Sequence, residues 1–473
     1  MHVVASPTLM LALALGASHA LAQTPAAAPG PGHERLRAIY RELVEIDTTD
    51  SAGSCTEAAE AMAKRLRVAG FPAGDLRVIA PPGAPKKGNL VARLRGTGAR
   101  KPLLLLAHLD VVEAKREDWK RDPFKLVEEG GYFYARGASD DKAMASAFVE
   151  NLIRYREENL RPARDIVLAL TCDEEIIPSQ WNGVQHLLKN HRELIDAEFA
   201  LNEGGSGVLD KSGKRVRINI QAGEKVFQSY RLEVTNPGGH SAQPRKDNAI
   251  YRLSNGLARL GAFDFPFKLS PVTRAFFERM SDIVTGETAA DMKGIVRDPP
   301  DPAAVARLAQ NPSYNAQVRT TCVATMVTAG EATNSLPQRA QAVVNCRVLP
   351  GESVEAVQDT LARVLADDQI RITSMGEPVL SPPAPLRDEV LGPVSKVVAD
   401  LWPGVPLVPS MSAGATDSRF LNSAGIPTYG ISGMFNDPAT SGVHGLNERL
   451  PVRSLYEGRE FLYRLVKLWA GAQ

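Results

Sequence analysis

The sequence predicts an α/β fold: a mostly parallel sheet flanked by helices, interrupted by an inserted α/β domain that carries an antiparallel sheet. Three observations predict it. Short, fully apolar runs of strand length alternate with helical periodicities from residue 34 to about 224, the mark of strands buried on both faces. From Lys225 the character changes to alternating, β-branched segments, over 225–235 and 319–349, which suit half-exposed antiparallel strands. After about Ser374 the buried pattern returns. The expected organisation is therefore a discontinuous domain of residues 34–224 and 375–473, with residues 225–374 inserted, a size usual for a domain.

The elements follow in order. Leu36, Ile39, Leu43 and Ile46 recur at three- and four-residue spacing and predict a first helix from Glu34. Ser54 and Glu57 read as a capping box opening a second helix that ends near Gly70. Runs at 89–94, 102–107, 165–171 and 198–201 have the length of buried strands, and a helix is expected over 142–158. Within the insert, a helix is expected near 249–260, followed by an irregular proline-rich stretch over 265–312. A helix from Asp388, a strand over 426–431 and a last helix from Arg453 complete the chain. No internal repeat is visible.

Of 473 residues, 55 are Lys or Arg and 54 are Asp or Glu, a net charge of +1 with the two signs interspersed. That excludes a general polyanion binder, since a nucleic-acid footprint needs clustered basic charge, and no nucleic acid is expected as a partner. The apolar run over 9–15 is too short to span a bilayer, and Ala20 to Ala22 form a small-x-small cleavage signal. Residues 1–22 are therefore expected to be a signal peptide cleaved after Ala22, and 23–33 a flexible linker, which gives a secreted, periplasmic protein without a membrane span. Four cysteines, none in Cys-x-x-Cys spacing, exclude a thiolate zinc site. Cys322 and Cys346 fall in two runs that can pair as a hairpin with these residues roughly opposite, either bonded or as two buried thiols.

Chemistry gathers at the carboxyl ends of the expected strands, where ligands of such sheets bind. One strand ends in His108 and Asp110, another in Asp173, Glu174 and Glu175, and a third in Glu203; Asp140 and Asp141 precede the helix from Lys142. So many like charges converge tolerably only around cations. Imidazole and carboxylate without thiolate suit zinc or a similar divalent ion, and the surplus of carboxylates suggests two ions. No Gly-x-Ser-x-Gly elbow, His-Glu-x-x-His helix or Walker loop offers another route.

With its His-x-Asp, Gly-x-x-Asp-x-Lys, Glu-Glu, Asn-Glu-Gly and late Ser-Gly-x-His motifs in that order, the chain resembles the dinuclear zinc amidohydrolases of peptidase family M20 over residues 34–470. That family includes aminoacylase, acetylornithine deacetylase, succinyl-diaminopimelate desuccinylase and glutamate carboxypeptidase. The resemblance implies a zinc-peptidase-like catalytic domain, and a lid and dimerisation domain at 225–374. It implies two Zn2+ ions, or Co2+ or Mn2+, with Asp140 bridging, His108 and Glu203 on one ion, and Glu175 and His444 on the other. Asp110 would fix the imidazole of His108, Glu174 would be the general base, and His240 would stabilise the oxyanion, often across a dimer. Asn334, Arg347, Thr416 and Arg419 match substrate-holding positions. A Glu at 203 inclines the substrate toward a free carboxylate, whereas 265–312 makes the lid longer than in compact members. The implied activity is hydrolysis of a peptide or N-acyl amino acid by a secreted carboxypeptidase or N-acyl-amino-acid amidohydrolase. A zinc dipeptidase that needs a free amine, or a non-catalytic binding protein on the same fold, is the alternative.

Overall fold

In the computed structural model, which describes residues 32–471, the strands Ile166–Thr171, Leu103–His108, Phe199–Asn202 and Thr428–Gly430 run parallel and adjacent. Asn89–Leu94 and Leu76–Ile79 extend this sheet antiparallel at one side. At the other lies Arg215–Glu224, joined in parallel by Leu407–Ser412. All residues of Leu103–His108 and Ile166–Thr171 are buried. Successive side chains of a strand point to opposite faces, so Leu103 and Leu105 enter a core with helices His33–Glu45, Lys142–Glu157 and Val452–Trp469. Leu104 and Leu106 enter a second core beneath Gly183–Asn190 and Ser418–Ser423. Helices on both faces are what an uninterrupted apolar strand requires. Among the described residues, no helix is long and apolar enough to cross a membrane.

The antiparallel sheet of the insert has the order Thr321–Ala329, Arg339–Val348, Val226–Thr235, Arg371–Met375. Arg339–Val348 alternates buried and part-exposed residues. Its apolar face joins Tyr230, Leu232 and Val234 to Leu253 and Leu361 of the helices Ala249–Gly261 and Val354–Leu365. Cys322 and Cys346 are direct cross-strand partners, and they are bonded. A second disulfide, Cys55–Cys172, had no signal in the sequence, because it joins a helix start to a strand end 117 residues away.

The structure departs from expectation in several places. The stretch 265–312 is helical, not irregular: Pro271–Met280, Gly286–Ile295, Pro302–Leu308 and Pro312–Val318 follow one another. Three of these helices carry proline in the first turn behind a Ser270, Asp301 or Asn311 cap, where a missing N–H costs nothing. Their core of Phe277, Met280, Met292 and Ile295 includes Val408 of the large sheet, so this segment packs on that sheet's edge strand and does not lengthen the antiparallel sheet of the insert. The capping box at Ser54 is half formed, its hydroxyl accepting from the Glu57 amide at 3.3 Å. The first helix begins at His33, which stacks on Tyr456, so the expected linker does not extend to 33. The expected signal peptide and the linker up to residue 31 lie outside the described residues.

Candidate metal centre and substrate cleft

His108 is the last residue of its strand, and Asp140 sits just before the helix Lys142–Glu157. The Nε2 of His108 lies 3.0 Å from Asp140 Oδ1 and 4.0 Å from Glu203 Oε1. His444, on the loop before the final helix, places Nε2 3.2 Å from Asp140 Oδ2 and 3.0 Å from Glu175 Oε1. Two three-donor groups thus share one carboxylate: His108, Asp140, Glu203 and Asp140, Glu175, His444, the donor atoms of each within 4.8 Å of one another. All five ligand candidates come together.

Burial works against a charge on His108, but Asp140, Asp110 and Glu203 outweigh it and hold the imidazole well above its usual pKa. Hydrogen bonds to Asp140 and Glu175 carry His444 to about 10. Burial, with Asp140 and Glu174 nearby, pushes Glu203 up. Glu174 is buried beside Asp110, Glu175 and Asp417 and is pushed up by that burial, yet it belongs to neither donor group. A divalent ion in either group would take the place of the protons that His108, His444 and Glu203 are shifted to hold, so the donor set fits such ions.

Asp110 braces the centre differently from the expectation. The His108 Nδ1 meets the backbone carbonyl of Asp110 at 2.9 Å, while the carboxylate stands 3.7 Å away. A carbonyl only accepts, so in the neutral imidazole the proton sits on Nδ1 and Nε2 is left free as a ligand atom. The Asp110 carboxylate instead accepts the amide of Glu175 at 3.0 Å, tying one ligand strand to the next.

The substrate-binding candidates divide. His240 and Asn334 sit together on the insert, where His240 pairs with Ser335 and the Asn334 carbonyl accepts from Ser241 at 3.1 Å. Both are exposed, and among the described residues neither bonds to the ligand cluster. Thr416 is turned toward Glu224, a partner 192 residues away, to which its amide and hydroxyl both donate. Arg419 lines a cleft of 510 Å³ together with Ile176, Ile177, Phe227, Met375 and Phe420. Arg347 lies over the Phe227 ring at 4.8 Å, and its guanidinium is lowered by burial and by the charge of Arg419. Among the described residues neither arginine has a carboxylate partner within ion-pair distance. A smaller cleft of 250 Å³ opens directly on Asp140 and Glu203.

Sequence reasoning missed Glu448, a buried carboxylate that accepts the amides of Ser139 and Asp140 at 2.7 and 3.0 Å. Its place four residues after His444 was the only available signal. Asp173, singled out with Glu174 and Glu175 at its strand end, belongs to neither donor group: its carboxylate pairs with Lys87 at 2.6 Å and accepts from Ser179 at the turn into Glu174.

The model of Peptidase family M20/M25/M40 matches residues 104–468. The N-fatty-acyl-amino acid synthase/hydrolase PM20D1 of Mus musculus is 29% identical over 379 residues, 77% of this chain and 74% of that protein. Aminoacylase-1A of Rattus norvegicus is 25% identical over 438 residues, 90% and 93% of the two chains. Among solved structures, the M20 family metallo-carboxypeptidase Sso-CP2 of Sulfolobus solfataricus shares the fold, with a TM-score of 0.68 at 20% identity, covering 92% of this chain and 99% of that one. The match spans most of the chain and includes all five ligand candidates, so the chain belongs to Peptidase family M20/M25/M40 and is a hydrolase of amide bonds.

Proposed function

We propose that the protein is a secreted two-metal hydrolase that releases an amino acid with a free carboxylate from its acyl group, as a carboxypeptidase or N-acyl-amino-acid amidohydrolase. The observation that carries this reading is the meeting of two three-donor groups at Asp140, with Glu174 beside them and outside both. His108, Asp140 and Glu203 would hold one ion, and Asp140, Glu175 and His444 the other. Zinc fits these donors, and cobalt or manganese would be accepted. Bound ions would supply polarisation of the scissile carbonyl and would acidify water toward neutrality. Glu174 takes the proton of the attacking water on a carboxylate oxygen and returns it to the leaving nitrogen. Asp110 keeps Glu175 in place, and its carbonyl keeps the His108 proton on Nδ1.

Arg347 and Arg419, which have no carboxylate within ion-pair distance among the described residues, grip the carboxylate of the leaving amino acid. Ile176, Ile177, Phe227, Met375 and Phe420 in the cleft that Arg419 lines suit an apolar side chain on it. The names of the mouse and rat relatives support an N-acyl amino acid. In this reading 225–374 is the lid, 34–224 with 375–473 is the catalytic domain, and His240 serves the oxyanion of a second copy. The edge strand Thr321–Ala329, with Val323, Met326 and Val327 exposed, supports a homodimer through the lid. Two disulfides support export to an oxidising compartment.

The test is amino-acid release by the zinc-loaded protein from N-acyl amino acids, N-blocked dipeptides, free dipeptides and the carboxyl-amidated forms of each. Release that disappears on amidation supports the proposal. Release from free dipeptides alone would make it a dipeptidase, and no release at all would return it to a binding protein.

A further inference from the structure

Glu448 is the most heavily committed carboxylate outside the ligand groups. One of its oxygens accepts the backbone amides of Ser139 at 2.7 Å and Asp140 at 3.0 Å; the other accepts the amide of Gly137 at 3.0 Å and Arg136 Nη1 at 2.8 Å. Arg136 in turn donates from Nη2 to the carbonyl of Gly445 at 2.8 Å, next to His444. Both side chains are buried. A carboxylate is tolerated there only because its charge is paired and its lone pairs are filled.

The consequence reaches the ligands. Asp140 must turn one oxygen to His108 and the other to His444, and the direction of its side chain follows the backbone that Glu448 holds from Gly137 to Asp140. His444 has φ 58, a left-handed conformation that non-glycine residues rarely adopt, so its loop needs an anchor from outside. Arg136 is that anchor. Because Glu448 closes the same loop four residues later, one carboxylate and its arginine set the bridging ligand and the last ligand relative to each other.

We propose that Glu448 is a positioning residue that presents Asp140 to both histidines and, through Arg136, holds His444 in register with it, so that its loss is felt in metal affinity. This rests on the two-metal reading above. The amide of Glu448→Gln keeps the shape but turns an NH2 toward N–H donors, leaving half of them without an acceptor.

The test uses the full chain as wild type, E448Q, E448D and R136K. Each is stripped with chelator, titrated with Zn2+ by calorimetry and with Co2+ by its visible absorption bands, and the stripped proteins are melted in parallel. The wild type is expected to bind two equivalents. E448Q should lose about 10–100-fold in affinity at one or both sites, with altered Co2+ bands, and E448D should recover part of the loss. Should E448Q not fold, R136K, which keeps the charge beside Glu448 but loses the fork to Gly445, should show the same direction of change. Folded variants that bind two ions with wild-type affinity and bands, whatever their melting temperature, would overturn this proposal alone. A folded wild type that binds no ion would overturn the two-metal reading with it.

Discussion

Glu224 accepts two hydrogen bonds from Thr416 on one oxygen, from the amide at 2.8 Å and the hydroxyl at 3.1 Å, where the large sheet hands over to the insert. Ser381 donates to its other oxygen at 3.2 Å. Even so, burial pushes the carboxyl up to about 7. The next residue, Lys225, is buried against the carbonyl of Arg319 at 2.7 Å, and burial pushes it down to about 7.

These shifts act in opposite pH windows. The Glu224 pKa is raised from 4.5, so its contribution to stability is complete below about pH 4.5 and is lost as pH rises to about 7. The Lys225 pKa is depressed from 10.5, so its contribution is present above about pH 10.5 and is lost as pH falls to about 7. Glu224→Gln should remove on the order of 3 kcal/mol of pH dependence between pH 4.5 and 7. Lys225→Met should flatten the range from 7 to 10. Denaturant unfolding at pH 5, 7 and 9 checks both, and a wild-type slope in Glu224→Gln would refute the first.

Glu174→Gln should bind two zinc ions like the wild type and lose about 10²–10⁴-fold in kcat, because Glu174 belongs to neither donor group. Metal content and turnover on the same sample decide it. Turnover near the wild type would remove Glu174 as the base.

Cys55 and Cys172 join the start of one helix to the residue just before the Asp173 turn that leads into Glu174. The double variant Cys55→Ser, Cys172→Ser should lose about 2–5 kcal/mol of stability in urea unfolding. A loss below that range would mean that the surrounding core alone holds the turn.

Arg347→Met and Arg419→Met should each raise KM for a free-carboxylate substrate while changing kcat little, with about 10–100-fold lost in kcat/KM, the value of one charge-assisted hydrogen bond. The same variants should act on a carboxyl-amidated substrate no worse than the wild type. An equal loss on both substrates would make the arginines structural.

The strands of the large sheet were legible because they are buried on both faces, and a run such as 103–108 has few other places in a fold. The helices over 271–318 were not, because prolines in first turns read as breakers until their Ser270, Asp301 and Asn311 caps are seen. The five ligand candidates were legible as types at strand ends and in motif order. The bonds from Thr416 to Glu224 were not legible for a physical reason: that partner lies 192 residues earlier, and no local pattern announces it.

By itself the sequence showed which residues offer metal-binding chemistry and that His108, Glu175 and Glu203 stand at or just beyond the ends of buried strands, since side-chain type and apolar periodicity are local properties. Only the tertiary structure decided that the carbonyl rather than the carboxylate of Asp110 meets His108 at hydrogen-bond distance, and that Glu448 grips the loop of Asp140 from 308 residues away. Those are directed contacts between segments far apart in the chain, and a hydrogen bond exists only once folding has set its distance and angle.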